Sequence, residues 1–301
     1  KIIIGGVSKR LQVEAIKEGI DILVATPGRF LDIVREGHID FSQLETLVLD
    51  EADAMLDLGF FHDVKWIISF IKVKKQTLLF SATMPEEISS LVKKLLVDPV
   101  KVQASTESTT VDDIDQKLYL LKKVNKPNAL MHILENEDVR SMLIFSKTKM
   151  GADQITEFLK EESIEADTIH SDRSQGTRDN VIKAFRDGEI KVLVATDIAA
   201  RGIDIDKVSH VINWNLPEDP RNYVHRVGRT ARAGSKGCAI TFCVENDIPV
   251  IKTIETIIDK KIPIDETQPF HAGFSIVIKL SKREKLLKAK TKKKKNNKKK
   301  N

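Results

Sequence analysis

Two parallel α/β sheets in succession are what this sequence predicts, on three observations. Short apolar runs alternate with amphipathic helical stretches along most of the 301 residues. Those runs end repeatedly in small, hydroxyl-bearing or charged residues. Residues 103–116, rich in Gln, Ser, Thr and Asp without apolar periodicity, interrupt the alternation as a linker would.

The first unit opens on Ile2-Ile3-Ile4 and reaches Gly5-Gly6. Ile22-Leu23-Val24-Ala25 stops at Thr26-Pro27-Gly28-Arg29. Leu47-Val48-Leu49 reads as a buried strand whose C-terminal end delivers Asp50-Glu51-Ala52-Asp53. Thr77-Leu78-Leu79-Phe80 stops at Ser81-Ala82-Thr83. Beyond the linker, Met142-Leu143-Ile144-Phe145 ends at Ser146, and Val192-Leu193-Val194-Ala195 ends at Thr196-Asp197. Cys238 and Cys243 stand at odd spacing in a further strand-like run, so they point to opposite faces and should not pair. Two successive units with such strand ends predict two domains facing a shared cleft, where open α/β sheets bind ligands. The expected division is a first domain over 1–102, a linker over 103–116, a second domain over 117–265 and a disordered Lys-rich tail over 266–301.

Composition narrows the class. An apolar share of 41% is ordinary for a globular protein, no stretch approaches a membrane span, and no secretory signal is visible. No Cys/His set has zinc spacing, so a reduced, cytoplasmic protein is expected. The net charge of +5 is unevenly placed. Residues 282–301 hold 12 of the 49 Lys/Arg and one of the 44 Asp/Glu, leaving 37 basic and 43 acidic residues, a net −6, elsewhere. This tail reads as a salt-sensitive phosphate tether for nucleic acid, the alternative being a solubilising or localising terminus.

Adjacent acids at a strand end suit metal-assisted phosphoryl transfer. One carboxylate holds Mg²⁺, usually through water, and the other orients or deprotonates the attacking water. Alone, Asp50-Glu51 would be a solvated acidic turn; its company gives it weight. A nucleotide cleft needs cations, and His225-Arg226-Val227-Gly228-Arg229-Thr230-Ala231-Arg232 carries them. If that segment is helical, arginines three apart share a face, and guanidinium groups supplied by a second domain make hydrolysis depend on closure. Upstream, Gly202 permits close backbone approach, and Asp204 suits a ribose hydroxyl.

In this order the motifs resemble those of the DEAD-box RNA helicases, from residue 1 to about 265. The match includes Leu143-Ile144-Phe145-Ser146 and Gln175-Gly176-Thr177-Arg178. The phrases Leu78 to Thr83 and Ala195 to Gly202 are similar to the bacterial RhlE-like branch. The resemblance implies two RecA-like domains, the first incomplete at its N-terminus, with ATP and Mg²⁺ as cofactors and RNA as partner. By that resemblance Asp50 would hold Mg²⁺ through water and Glu51 would position the hydrolytic water. Asp53, Ser81, Thr83 and His225 would couple nucleotide state to closure. Gly202 and Asp204 would meet the nucleotide from the second domain, with Arg229 and Arg232 as arginine fingers. Gly5, Gly6, Thr26, Gly28 and Arg29 would grip RNA from the first domain, and Ser146, Gln175, Arg178 and Thr196 from the second. Aromatics form only 5% of the chain with no evident stacking platform, which suits contact with the sugar–phosphate backbone.

The sequence also departs from the family. The adenine-reading segment and the Gly-rich phosphate loop are missing, and no G-x-x-x-x-G-K-[ST] run occurs. The opening strands of the first sheet are missing too, so exposed edges and uncovered apolar surface are expected there. With no initiator Met before Lys1, the expectation is a fragment of an active helicase, truncated before the phosphate loop and not itself a competent ATPase. The alternative is an ATP-independent RNA-binding or annealing module, against which stand Asp50, Glu51, Arg229 and Arg232. Ala231 and Ser171 occupy positions where the family usually has Gly, and neither change removes a charged group.

Overall fold

The structure, a computed structural model, describes residues 1–102, 114–200, 203, 205, 207–230 and 237–274. In the first half, β1 (Ile2–Ile3), α1 (Lys9–Lys17), β2 (Val24–Ala25) and α2 (Pro27–Arg35) form one parallel unit. Pro27 opens α2, where its fixed φ favours the helix and its missing N–H costs nothing. A second unit follows: β3 (Thr46–Leu49), α3 (Ala52–Asp57), α4 (Phe61–Phe70), β4 (Gln76–Leu79) and α5 (Glu86–Leu95). Acids Glu86 and Glu87 begin α5 and Lys93 and Lys94 end it, matching the helix dipole.

The two strand pairs remain separate two-stranded sheets. Helix residues pack against them in small clusters, Leu31, Ile67 and Ile71 with Leu47 of β3, and Val64 and Leu91 with Leu49. Strand alternation turns the partners Val48 and Leu78 the other way, and Val48 is 50% exposed and Phe80 55%. Parallel sheets are normally covered on both faces, so the uncovered apolar surface expected from the sequence is present.

The second half is a six-stranded parallel sheet, order β5-β10-β9-β6-β8-β7. Its elements are β5 (Ile114–Leu120), α6 (Lys126–Asn136), β6 (Met142–Ser146), α7 (Lys149–Glu161), β7 (Ala166–Ile169), α8 (Gln175–Arg186), β8 (Val192–Thr196), α9 (Asp197–Ala200), β9 (His210–Asn213), α10 (Asn222–Val227), β10 (Gly237–Cys243) and α11 (Ile248–Ile257). Apolar cores lie on both faces of this sheet. Cys243 belongs to one and Cys238 to the other, as their odd spacing predicts, and both thiols are free.

Two expected boundaries move. β5 starts at Ile114, so the last three residues of the expected linker are strand. Ile114 and Gln116 are buried while Asp115 is exposed, an alternation that the charged residues hid. At the other end, residues 266–274 are packed rather than tail. Ala272 N–H donates to Leu120 O at 2.8 Å, Leu121 bridges His271, and Gln268 is buried. This segment covers groups that the edge strand β5 would otherwise leave unpaired. The remaining linker residues, 103–113, and tail residues, 275–301, lie outside the described ones. Among the described residues no helix is long and apolar enough to cross a membrane.

Candidate functional site

At the end of β3 the backbone turns sharply. Glu51 adopts a left-handed conformation (φ 48°, ψ 51°) and caps α3. That region costs an L-residue roughly 1–2 kcal/mol. The turn leaves both Asp50 and Glu51 exposed at the strand end. Asp50 Oδ1 accepts the Glu51 N–H at 2.9 Å. A carboxylate so placed fits a hard cation held through water.

Asp53, one turn on, faces inward and is 7% exposed. Its Oδ2 accepts from Thr83 N–H at 2.7 Å and Thr83 Oγ1–H at 2.8 Å. Ser81 Oγ accepts the Asp53 N–H at 3.2 Å and donates to Thr83 O at 2.6 Å. Burial would raise the Asp53 carboxyl, but the Thr83, Ala54 and Ser81 hydrogen bonds outweigh it and hold the group below the usual range. The strand-end acids and the segment after β4 are thereby tied into one unit. The ladder itself continues through Phe80, which donates to Leu49 O at 2.8 Å and accepts from Ala52 N–H at 3.0 Å.

The remaining first-half residues form one loop surface. Gly6 has φ +75°, which glycine adopts without strain. Gln12, which sequence reasoning missed, secures that loop from α1. Its Nε2 donates to Ile4 O at 3.1 Å, and its Oε1 accepts the Ile4 N–H at 2.9 Å. Arg29 donates from α2 to Val7 O at 2.7 Å, joining the Gly5-Gly6 turn to the segment around Gly28. Thr26 precedes α2 without a side-chain capping bond, so its exposed hydroxyl sits at a helix N-terminus, a favourable place for phosphate.

In the second half, Ser146 and Thr196 are register partners at the ends of β6 and β8. Both are buried, and Ser146 Oγ donates to Thr148 O at 3.2 Å. On α8, Arg178 donates to Gln175 Oε1 at 3.2 Å and to Ala199 O at 3.3 Å, and its buried Nε has no partner among the described residues.

Arg226 and Arg229 do not share a helix face, so the helical reading of this block does not hold for the two arginines that are described. α10 stops at Val227, before Gly228. Arg226 is 2% exposed and turned inward. It donates to both Asp197 oxygens at 2.6 and 2.7 Å, to Asn213 Oδ1 at 3.0 Å and to Asn215 O at 2.6 Å. Arg229, beyond the helix, donates to Ile203 O at 3.1 Å. His225 is exposed on α10. Gly202, Asp204 and Arg232 lie outside the described residues.

Comparison with known proteins accounts for this arrangement. Residues 1–91 match the family model of the DEAD/DEAH box helicases, and residues 125–234 match that of the helicase conserved C-terminal domain. A DEAD box protein of known structure from Methanococcus jannaschii is 36% identical, with a TM-score of 0.50 over 88% of this chain and 72% of its own. The chain belongs to the DEAD-box RNA helicase family. S. cerevisiae Dbp5, in a structure bound to RNA and ADP BeF3, is 31% identical with a TM-score of 0.75, over 88% of this chain and 69% of that one. The DEAD-box ATP-dependent RNA helicase RhpA of Helicobacter pylori is 38% identical over 87% of this chain and 53% of its own length. CshA of Geobacillus kaustophilus is 38% identical over 86% of this chain and 56% of its own. The chain thus spans about half the length of the curated relatives it matches. These relatives fix the family and do not establish the RhlE-like branch.

Proposed function

We propose that this chain supplies the hydrolytic acids, the coupling unit and the second RecA-like domain of an ATP-dependent RNA helicase. Closure of the two domains around ATP and RNA would bend the bound strand and open a short duplex locally. The observation that carries this reading is the unit joining Asp53 to Ser81 and Thr83, directly behind the exposed Asp50-Glu51 pair. A change at the nucleotide side thereby reaches the segment after β4 through buried hydrogen bonds.

In this reading Asp50 holds Mg²⁺ through water, and the ion, when bound, neutralises charge on the phosphate oxygens. Glu51 orients the attacking water and takes its proton. Arg229 and Arg232 stabilise the phosphoryl charge, with Gly202 and Asp204 against the nucleotide and His225 reporting closure. Gly5, Gly6, Thr26, Gly28 and Arg29 hold one stretch of RNA backbone. Ser146, Gln175, Arg178 and Thr196 hold the next, and the Lys-rich tail adds salt-sensitive affinity.

These 301 residues contain no phosphate-loop run. On their own they supply neither its N–H nest nor its Lys, so we expect RNA binding without turnover. The test is ATP hydrolysis by this chain with and without single-stranded RNA, beside Glu51→Gln. RNA-stimulated turnover that Glu51→Gln abolishes would overturn the expected inactivity. Joining a relative's phosphate-loop segment ahead of Lys1 should restore hydrolysis, and its failure to do so with RNA still bound would count against the helicase assignment.

A further inference from the structure

At the other end of the second sheet, a trio of metal-ligating side chains meets that the helicase reading does not use. His210 is the first residue of β9 and Cys238 the second of β10, and the two are register partners on adjacent parallel strands. Strand alternation turns both toward the core that holds Ile212 and Ile240. Glu137 follows the last residue of α6, and its carboxylate reaches across to the sheet. The cleft-side residues Ser146 and Thr196 lie at the opposite strand ends, roughly 13–17 Å away for strands of this length.

The contacts are specific. Glu137 Oε2 lies 3.1 Å from His210 Nε2, and Glu137 Oε1 accepts from Lys117 Nζ at 3.0 Å. The ligating atoms of Glu137, His210 and Cys238 all lie within 4.8 Å of one another. The His210 and Glu137 side chains are 8% and 22% exposed, so solvent reaches the trio from the Glu137 side.

His210 makes the case sharper. Its Nδ1 lies 3.0 Å from Ser209 Oγ, and that hydroxyl gives its hydrogen to Ser141 O at 2.7 Å. Ser209 Oγ also accepts the Arg140 and Ser141 N–H groups, each at 3.0 Å, so the His210 ring is held in place with Nε2 turned toward Glu137. Nε2 and the carboxylate oxygen, 3.1 Å apart, can share either a ring proton or a cation.

We propose that Glu137, His210 and Cys238 form a site for one thiophilic divalent cation, zinc being the type, and that the Lys117 ammonium takes the cation's place when no metal is bound. A thiol, an imidazole and one carboxylate suit zinc or cobalt over magnesium. Ligand atoms in a tetrahedral zinc site stand roughly 3.3–3.8 Å apart, so the trio needs only small side-chain rotations to close. Water takes the fourth position from the exposed side. On binding, the Cys238 thiol gives its proton to solvent and the sulfur bonds the metal as thiolate. Lys117 then leaves Glu137 for Asp115, whose Oδ2 is already 3.9 Å from Nζ. Burial and the nearby Glu137 carboxylate push the free thiol up to about 12. A bound cation reverses that electrostatic balance.

The test is titration of the full chain with Co²⁺ in excess Mg²⁺, which keeps Co²⁺ from all-oxygen sites such as Asp50. One equivalent should bring thiolate-to-cobalt charge-transfer absorption and tetrahedral d–d bands. Cys238→Ser should abolish the charge-transfer band, and Glu137→Gln should keep it with affinity lowered at least about tenfold. Lys117→Met should bind more tightly, and Cys243→Ala should match the parent. Zn²⁺ should raise the thermal midpoint of the parent chain and not that of Cys238→Ser, whose circular dichroism checks its fold. No stoichiometric thiolate band, or a band that survives Cys238→Ser, would overturn the site. Unchanged affinity in Lys117→Met would overturn the exchange with Lys117.

Discussion

Thr83 gives both its backbone N–H and its hydroxyl hydrogen to a single oxygen of Asp53, at 2.7 and 2.8 Å. Two donors from one residue fix the segment after β4 in position and orientation against α3. Hydrogen bonds to a buried charged group contribute about 1.5–3 kcal/mol, so Asp53→Asn should destabilise the first half by that order. The sign of the pH effect follows from the lowered carboxyl. Stabilisation is complete above the ordinary carboxylate value near ~4 and is lost as pH falls through the lower folded-state value. Amide exchange at Thr83 and Ala54, read against pH, should show this acid limb in the parent and lose it in Asp53→Asn. An identical limb in both would refute the assignment.

Glu51 stores backbone strain at the end of β3, beside the acids proposed for hydrolysis, since its φ of 48° is a glycine-like conformation. Only its carboxylate justifies the residue there. Glu51→Gly should be more stable than Glu51→Ala by about 1 kcal/mol, although both lose the same side-chain function. Urea unfolding of the two variants decides it, and equal midpoints would mean that the turn relaxes.

Much of this was legible in the sequence because strand ends carry a compact code. Apolar runs closing at Asp50, Ser81, Ser146 and Thr196 are β3, β4, β6 and β8 in the structure, give or take a residue. The uncovered face of Val48 and Phe80 was legible as well, as apolar strand surface with nothing in this sequence to cover it. What could not be read was which polar groups turn inward. Arg226 and Arg229 look alike in sequence, but the stop of α10 at Val227 separates their fates. Gln12 sits in a helix with no local pattern marking it, and its burial depends on where the Gly5-Gly6 turn passes. The start of β5 was hidden because Asp115 and Gln116 mimic linker composition on a strand whose alternate residues are buried. The Glu137, His210 and Cys238 trio is distributed over three elements, so no spacing rule could find it.

Arg226 ties α10 to the segment after β8. Its guanidinium is bidentate to Asp197 and lies 4.9 Å from the centre of the Phe145 ring. Removing one partner of a buried pair leaves the other uncompensated, so Arg226→Met should cost about 3–5 kcal/mol in urea unfolding. Arg226→Met with Asp197→Leu should recover part of that loss. If the double variant is as unstable as the two single losses added together, the ion pair is not the connection.

Gly151 shows how a residue with no side chain governs the strand end that the resemblance assigns to RNA. A Cβ there would stand 2.9 Å from Ser146 Oγ and 2.9 Å from Thr148 Oγ1. Thr148 Oγ1 caps α7 by accepting the Gly151 N–H at 3.0 Å, and Ser146 Oγ donates to Thr148 O, so both hydroxyls are already committed. Overpacking costs about 1–3 kcal/mol, against roughly 1 kcal/mol gained by Ala over Gly in a helix. Gly151→Ala should therefore change stability by no more than about 2 kcal/mol while displacing Ser146 from its place beside Thr196. The expected signature is RNA affinity that falls several-fold with a thermal midpoint lowered by no more than about 8 °C. Combining Gly151→Ala with Ser146→Ala removes one of the two hydroxyls in the clash. Its RNA affinity should equal that of Ser146→Ala alone, because the methyl acts through Ser146. A further loss in the double variant would show that Gly151 acts on RNA by another route, such as the N-terminus of α7.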